Sequence, residues 1–196
     1  MASTQTERTD IDLTPLNDSI RLADRVGNRV VIVRVPGSRR APDSRGVAVA
    51  SDRWLTATFT LDGSRTKVIE RSGTLRDLTV APNNDRLLVA FRAACIRAGR
   101  DVPADLRIRV SSDVEVGRGL GASAAAAVAG ALGARALLDL PLDDYALISA
   151  ASTADGSIAQ VVASFEGHTC VFRGDRDADR VIPPASYSIR QTEVRA

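Results

Sequence analysis

The chain has 196 residues, 44% of them hydrophobic and 26% charged, which is long enough to bury a sizeable core and too apolar for a disordered segment. Its formal net charge is only +2, and no basic run alternates with aromatic residues, so neither nucleic acid nor a membrane surface is an expected partner.

The first 25 residues are polar, rich in Ser, Thr and Asp, and read as a flexible N-terminal segment with one candidate element, a short helix from Pro15 to Ala23. They hold no apolar core of signal-peptide type, and no run in the chain reaches the length of a membrane span, which points to a cytoplasmic protein. Order is expected from Val26 onward, with residues 26–196 as a single domain. Arg29 to Val35 is a β-branched run closed by Pro36-Gly37, a strand followed by a turn. Ser38 to Gly46 reads as a loop, in which Arg39 and Arg40 are either a solvated pair or an anion contact, and Val47 to Ala50 is a second apolar stretch.

Trp54 to Leu61 predicts a strand, and Asp62-Gly63 a two-residue hairpin turn into Thr66 to Arg71. Asn83-Asn84-Asp85 can cap a helix from Arg86 to about Ala98 that Gly99 ends. Leu106 to Val110 alternates strictly as a strand. Beyond Leu138, a helix is expected from Tyr145 to Ala151, another from Ser157 to Phe165, and a strand from His168 to Phe172. Gly174 to Arg180 is turn-like, and Tyr187 to Val194 is an edge strand or a tail. Cys95 and Cys170 lie in apolar segments without metal-ligand spacing and read as small buried residues of a reducing compartment. His168, the only histidine, reads as a surface or satisfied histidine more readily than as a general base.

Chemistry concentrates at Val114 to Ala124. Gly117, Gly119 and Gly121 alternate, giving a backbone that can present its N–H groups to a bound group, and the Ala-rich run to Leu138 has the composition of a buried helix. The first turn of that helix points unpaired N–H groups at the glycines, an arrangement that favours phosphate. A Walker A loop is excluded, because no Gly-Lys-Ser/Thr ending is present and Lys67, the sole lysine, lies far off. Any side-chain contact to phosphate is therefore expected from an arginine fork. The spacing Gly117-Arg118-Gly119-Leu120-Gly121-Ala122 fits a loose dinucleotide fingerprint, but Asp139 follows the helix without a second strand between them.

The segment resembles instead the glycine-rich motif of the GHMP kinases, Pro-x-x-x-Gly-Leu-Gly-Ser-Ser-Ala, and within that superfamily it is most similar to homoserine kinase. Here Ala122 replaces the first Ser of the motif, Ser123 matches the second, and Glu115 stands in place of the Pro. Val35-Pro36-Gly37-Ser38 resembles the opening Val-Pro-Ala-Ser/Thr of that family, and Asp43-Ser44-Arg45-Gly46 stands where Asp-x-Leu-Gly would be, with the Asn-Leu-Gly-Pro-Gly segment between them replaced. The family's acidic motif after the second helix is reduced to one carboxylate, Asp155. Glu166-Gly167-His168 repeats part of it too late in the chain to take its role.

The resemblance implies a two-layer α+β fold of the ribosomal protein S5 domain 2 type, a mixed sheet covered by helices. It implies binding of ATP by Gly117, Arg118, Gly119, Leu120, Gly121, Ala122 and Ser123, with Ser123 also reaching Mg2+, Asp155 at the reacting centre and Asp43 at the substrate. The implied reaction moves the γ-phosphate of ATP to the hydroxyl of an amino acid or similar small alcohol. Against the family kinases, the C-terminal ferredoxin-like domain is expected to be absent from this chain. A second reading is therefore a catalytically altered scaffold that binds an anionic ligand, works with a partner chain or a second copy completing the cleft, or catalyses a different reaction there.

Overall fold

The computed structural model describes residues 20–25, 28–40, 47–63, 68–172 and 187–189. Alternation decides which side of each strand is buried. In β5 (Leu106–Ser112), Leu106, Ile108 and Val110 face inward while Arg109 and Ser111 are exposed. In β2 (Asn28–Arg40), Val31, Val33 and Val35 are buried, and in β3 (Val47–Leu61) the same holds for Leu55, Ala57 and Phe59. The other face of β3 carries Thr56, Thr58 and Thr60, with the Arg34 guanidinium 4.1 Å from the centre of the Trp54 ring. One apolar face and one polar face make a sheet with helices on a single side.

β1 (Ile20–Arg25) pairs antiparallel with β2, β2 with β3, and β3 with β5, while β4 (Val68–Gly73) lies at the edge, parallel to β5. The first half of β3 also pairs with β6 (Thr169–Phe172), which in turn pairs with β7 (Tyr187–Ile189). This is the mixed sheet of the expected α+β class. The helices are α1 (Arg86–Arg97), α2 (Ala122–Leu138), α3 (Asp144–Asp155) and α4 (Ile158–Glu166).

Helix α2 sits centrally, against β2, β3, α1, α3 and α4. Its small residues permit this. A Cβ at Gly130 would stand 2.1 Å from the Leu87 carbonyl oxygen of α1, and one at Gly133 would stand 2.4 Å from the Phe59 ring. Phe59 stacks on Phe91 of α1 with ring centres 5.8 Å apart, and both are fully buried. Side chains of that size contribute about 1.5–3 kcal/mol each on burial.

Several expectations change. No helix spans Pro15 to Ala23: residues 20–25 are β1, held by six register pairs with β2, and residues 15–19 and Val26 lie outside the described residues. Pro36-Gly37 does not end its strand. β2 absorbs the proline through a register shift between Pro36 and Ser38 and runs on to Arg40, so that Arg39 and Arg40 are exposed strand residues opposite Val49 and Ala48. The stretches 47–50 and 54–61 are one continuous strand. Asp62-Gly63 does not turn a hairpin, because β5 is inserted between β3 and β4, returning parallel to β4 through the α1 crossover. Residues 174–180 and 190–194 lie outside the described residues. Among the described residues no helix is long and apolar enough to cross a membrane.

Candidate functional site

The glycine segment leaves β5 and enters α2 pinned at both ends. At its start Asp113 donates its amide to the Trp54 carbonyl at 3.0 Å and its carboxylate accepts from the Trp54 amide. The Thr74 hydroxyl is within hydrogen-bond reach of the carbonyls of Ser112 and Val114, at 3.1 and 2.7 Å. At its end the Ser38 amide donates to the Leu120 carbonyl at 2.9 Å. Between these anchors Gly117, Arg118 and Gly119 are exposed, while Leu120, Gly121 and Ala122 are half-buried. All three glycines have positive φ, 76°, 72° and 74° in order, so the alternation is a conformational requirement.

Gly121 is the N-cap of α2 and supplies no side-chain cap; the first helical bond recorded is Ala125 N–H to the Gly121 carbonyl, at 2.9 Å. Among the described residues, the amides of Ala122, Ser123 and Ala124 have no protein acceptor. These donors and the positive end of the helix dipole face outward together.

Ser123 is exposed on that first turn, and its hydroxyl donates to Oδ1 of Asp155. Asp155 is the last residue of α3, ended by Gly156 in the left-handed conformation, φ 77°. Arg86 of α1 donates to the Ala154 carbonyl and so ties this end of α3 to α1. Residues 32 positions apart in sequence thus form one hydroxyl and carboxylate pair beside three free amides. Glu115, the carboxylate that precedes the loop, is turned to a surface ion pair with Arg118, N to O 3.6 Å, so neither side chain is committed to the loop interior. Asp43 lies outside the described residues.

Sequence reasoning missed the wall beside this site. A cavity of about 120 Å³ opens next to Ser123, lined by Ile69, Leu75, Leu78, Val80, Leu87 and Val116 among others, and therefore largely apolar. Its polar lining, besides Asn84, Arg86 and Ser123, is an ion pair: Arg71 of β4 donates to Asp85, whose other oxygen caps α1 by accepting from Leu87 N at 3.0 Å and Leu88 N at 3.2 Å. The run Thr74 to Val80 carries no periodicity that would mark it as a cleft wall. The capping role of Asp85 was legible; its partner Arg71 was not.

The remaining candidates stand elsewhere. His168 is exposed beyond α4, its carbonyl accepting from Ala50 N at 3.3 Å. Cys95 and Cys170 are buried, and neither forms a disulfide. Burial, and then the nearby Glu166 carboxylate, push the Cys170 thiol up to about 11. Glu166 is itself held above the usual carboxylate range, first by burial and then by Asp144, with His168 acting in the opposite direction. Among the described residues no three His, Cys, Asp or Glu side chains gather as a metal cage. Ser123 and Asp155 offer instead two hard oxygen donors in contact, a set that suits Mg2+ shared with phosphate oxygens rather than a dedicated protein site.

Residues 86–168 match the model of the GHMP kinases N terminal domain. A homoserine kinase of Corynebacterium jeikeium is 34% identical over 173 residues, covering 85% of this chain and 54% of that protein. Among solved structures, the homoserine kinase of Cytophaga hutchinsonii superposes with a TM-score of 0.62 at 16% identity, over 83% of this chain and 51% of the other. The phosphomevalonate kinase of Streptococcus pneumoniae gives 0.59 at 14% identity, over 83% and 57%. The chain spans about half the length of the curated relatives it matches. The matched segment contains α1, the glycine loop, Ser123 and Asp155, and leaves outside it β4, the wall from Thr74 to Asp85 and the anchors at Trp54 and Ser38; on this footing residues 86–168 belong to the GHMP kinase N-terminal domain family.

Proposed function

We propose that this chain carries the nucleotide half of a homoserine-kinase-like phosphotransferase, acting on ATP with Mg2+ and on the hydroxyl of an amino acid or similar small alcohol. The observation that carries the reading is the contact between Ser123 and Asp155 at the head of α2, beside amides that no protein group occupies among the described residues. Phosphoryl transfer asks a protein for position and charge compensation more than for covalent chemistry. The free amides of Ala122, Ser123 and Ala124 meet phosphate oxygens, and the glycines before them keep side chains away from the approach. The apolar cavity between β4, α1 and the loop takes the flat face of a nucleoside base. Ser123 and Asp155 would hold Mg2+, which, when bound, would supply neutralisation of phosphate charge.

Titration calorimetry with a non-hydrolysable ATP analogue and Mg2+ tests this. The chain is expected to bind, and Asp155→Asn to weaken Mg2+-dependent binding by roughly tenfold to a hundredfold, the value of a hydrogen bond or contact to a charged group. With ATP itself in place of the analogue, ADP release on adding homoserine, and none with a non-hydroxyl analogue of homoserine, completes the reading. No binding at millimolar nucleotide would overturn it.

A further inference from the structure

Ser38 lies outside the glycine loop, is fully buried, and is connected in every direction. Its amide holds the Leu120 carbonyl at 2.9 Å, fixing the last turn of the loop. Its hydroxyl donates to the Gln160 carbonyl at 2.8 Å and accepts from the Ser164 hydroxyl at 2.9 Å. Its carbonyl accepts from the Gln160 side-chain amide at 2.8 Å. Gln160 and Ser164 both belong to α4, and Gln160 stands five residues past Asp155 across the short α3 to α4 corner. One residue of β2 therefore grips the loop with its backbone donor and the far side of the site with its hydroxyl and carbonyl.

The approach is as close as backbone allows. A Cβ at Gly121 would lie 2.2 Å from the Ser38 carbonyl oxygen, and one at Gly37 would lie 2.6 Å from the Leu120 carbonyl oxygen. The register shift between Pro36 and Ser38 is what delivers Ser38 to this junction out of step with the rest of β2.

We propose that Ser38, clasped by Gln160, is a positioning residue that sets the spacing between the glycine loop and the α3 to α4 corner, and so the contact of Ser123 with Asp155. The inference rests on the phosphate reading of the loop and assigns it a control that touches neither phosphate nor metal. Phosphate contacts by the loop amides are local to the loop and α2, whereas a group that needs Ser123 and Asp155 together depends on the clasp.

The experiment compares wild type with Ser38→Ala and Gln160→Met, the second keeping side-chain length while removing the amide. A non-hydrolysable ATP analogue is titrated with Mg2+ and with excess chelator, after circular dichroism has shown each variant folded. Both variants are expected to lose Mg2+ enhancement on the order of tenfold, the usual effect of removing a supporting partner of a metal site. Metal-free affinity is expected to stay within about threefold of wild type, under 1 kcal/mol. Amide chemical shifts provide a readout without nucleotide: Ser38→Ala should move the signals of Ser123 and Asp155 while leaving those of α1 in place. Folded variants with full Mg2+ enhancement, or with unmoved Ser123 and Asp155 signals, overturn the clasp. A wild type that binds nucleotide equally with and without Mg2+ overturns the metal reading instead, and the chemical shifts then still decide the clasp.

Discussion

Replacing Gly121 by Ala separates a glycine needed only for its backbone angle from one needed for space as well. Gly119 and Gly121 have nearly the same positive φ, 72° and 74°, so an alanine at either position meets a left-handed penalty of about 1–2 kcal/mol. At Gly119 a Cβ would meet no heavy atom within 4 Å, and nothing more is expected. At Gly121 it would meet the backbone oxygen and nitrogen of Ser38 at 2.2 and 2.5 Å, which no rotamer change relieves. The loop must move off β2, adding overpacking strain of about 1–3 kcal/mol and loss of the Ser38 to Leu120 hydrogen bond, about 0.5–1.5 kcal/mol. Gly121→Ala is thus expected to destabilise by about 3–6 kcal/mol against about 1–2 for Gly119→Ala. For a chain of this size that gap, about 1.5–4.5 kcal/mol, corresponds to at least about 3 °C in Tm. Urea unfolding of the two variants beside wild type gives the comparison directly. Two values agreeing within about 0.5 kcal/mol, the scatter of ordinary surface substitutions, would refute the close approach of loop and strand.

Gly130→Ala sets helix propensity, which favours Ala by about 1 kcal/mol, against overpacking of about 1–3 kcal/mol. Because the obstructing atom is the backbone oxygen of Leu87, 2.1 Å away, the overpacking takes the upper part of its range, about 2–3 kcal/mol, and a net loss of about 1–2 kcal/mol is expected in urea unfolding; an unchanged or higher midpoint would contradict it. The raised Glu166 carboxyl binds its proton more tightly folded than unfolded, so its contribution is full below the unfolded pKa and is lost as pH rises through the folded one. Glu166→Gln should therefore gain stability relative to wild type from the acid range to neutrality, and a pH-independent difference would remove Glu166 from the account. With Cys170 pushed up to about 11 and both thiols buried, the native protein should resist a thiol reagent at neutral pH and release two equivalents only in denaturant. Asp155→Asn should leave the urea midpoint within about 0.5 kcal/mol of wild type, since the carboxylate is half-exposed at a helix end; a larger drop would mean that Asp155 is structural.

Elements with a local cause were legible from residues alone. The Asp85 cap and Gly99 placed α1 within a residue of its observed end, and the alternation of β5 and the alanine content of α2 were equally direct. What was misread depended on distant parts of the chain. Asp62-Gly63 has hairpin chemistry, yet nothing local announces that β5, more than forty residues later, takes the place beside β3. Pro36-Gly37 has turn chemistry, yet its strand continues because the ladder to β3 resumes beyond the register shift, at Ser38 opposite Ala50. The same division runs through the site. Gly117, Gly119 and Gly121 stand out as candidates by spacing, and Ser123 and Asp155 through the family resemblance, but Arg71 beside Asp85 and Gln160 beside Ser38 are pairings made by the fold, invisible in the order of letters.

The length of β3 carries a temporal consequence. Its second half finds β5 within about fifty residues, but the flank at Val47, Ala48 and Val49 waits for Thr169 to Val171. On a ribosome releasing about 5–20 residues per second, that flank stays unsatisfied for roughly 6–24 seconds, an open ladder end while most of the chain is still being made. Nascent chains halted before residue 169 should accordingly be captured by strand-seeking chaperones, and those halted well after it should escape.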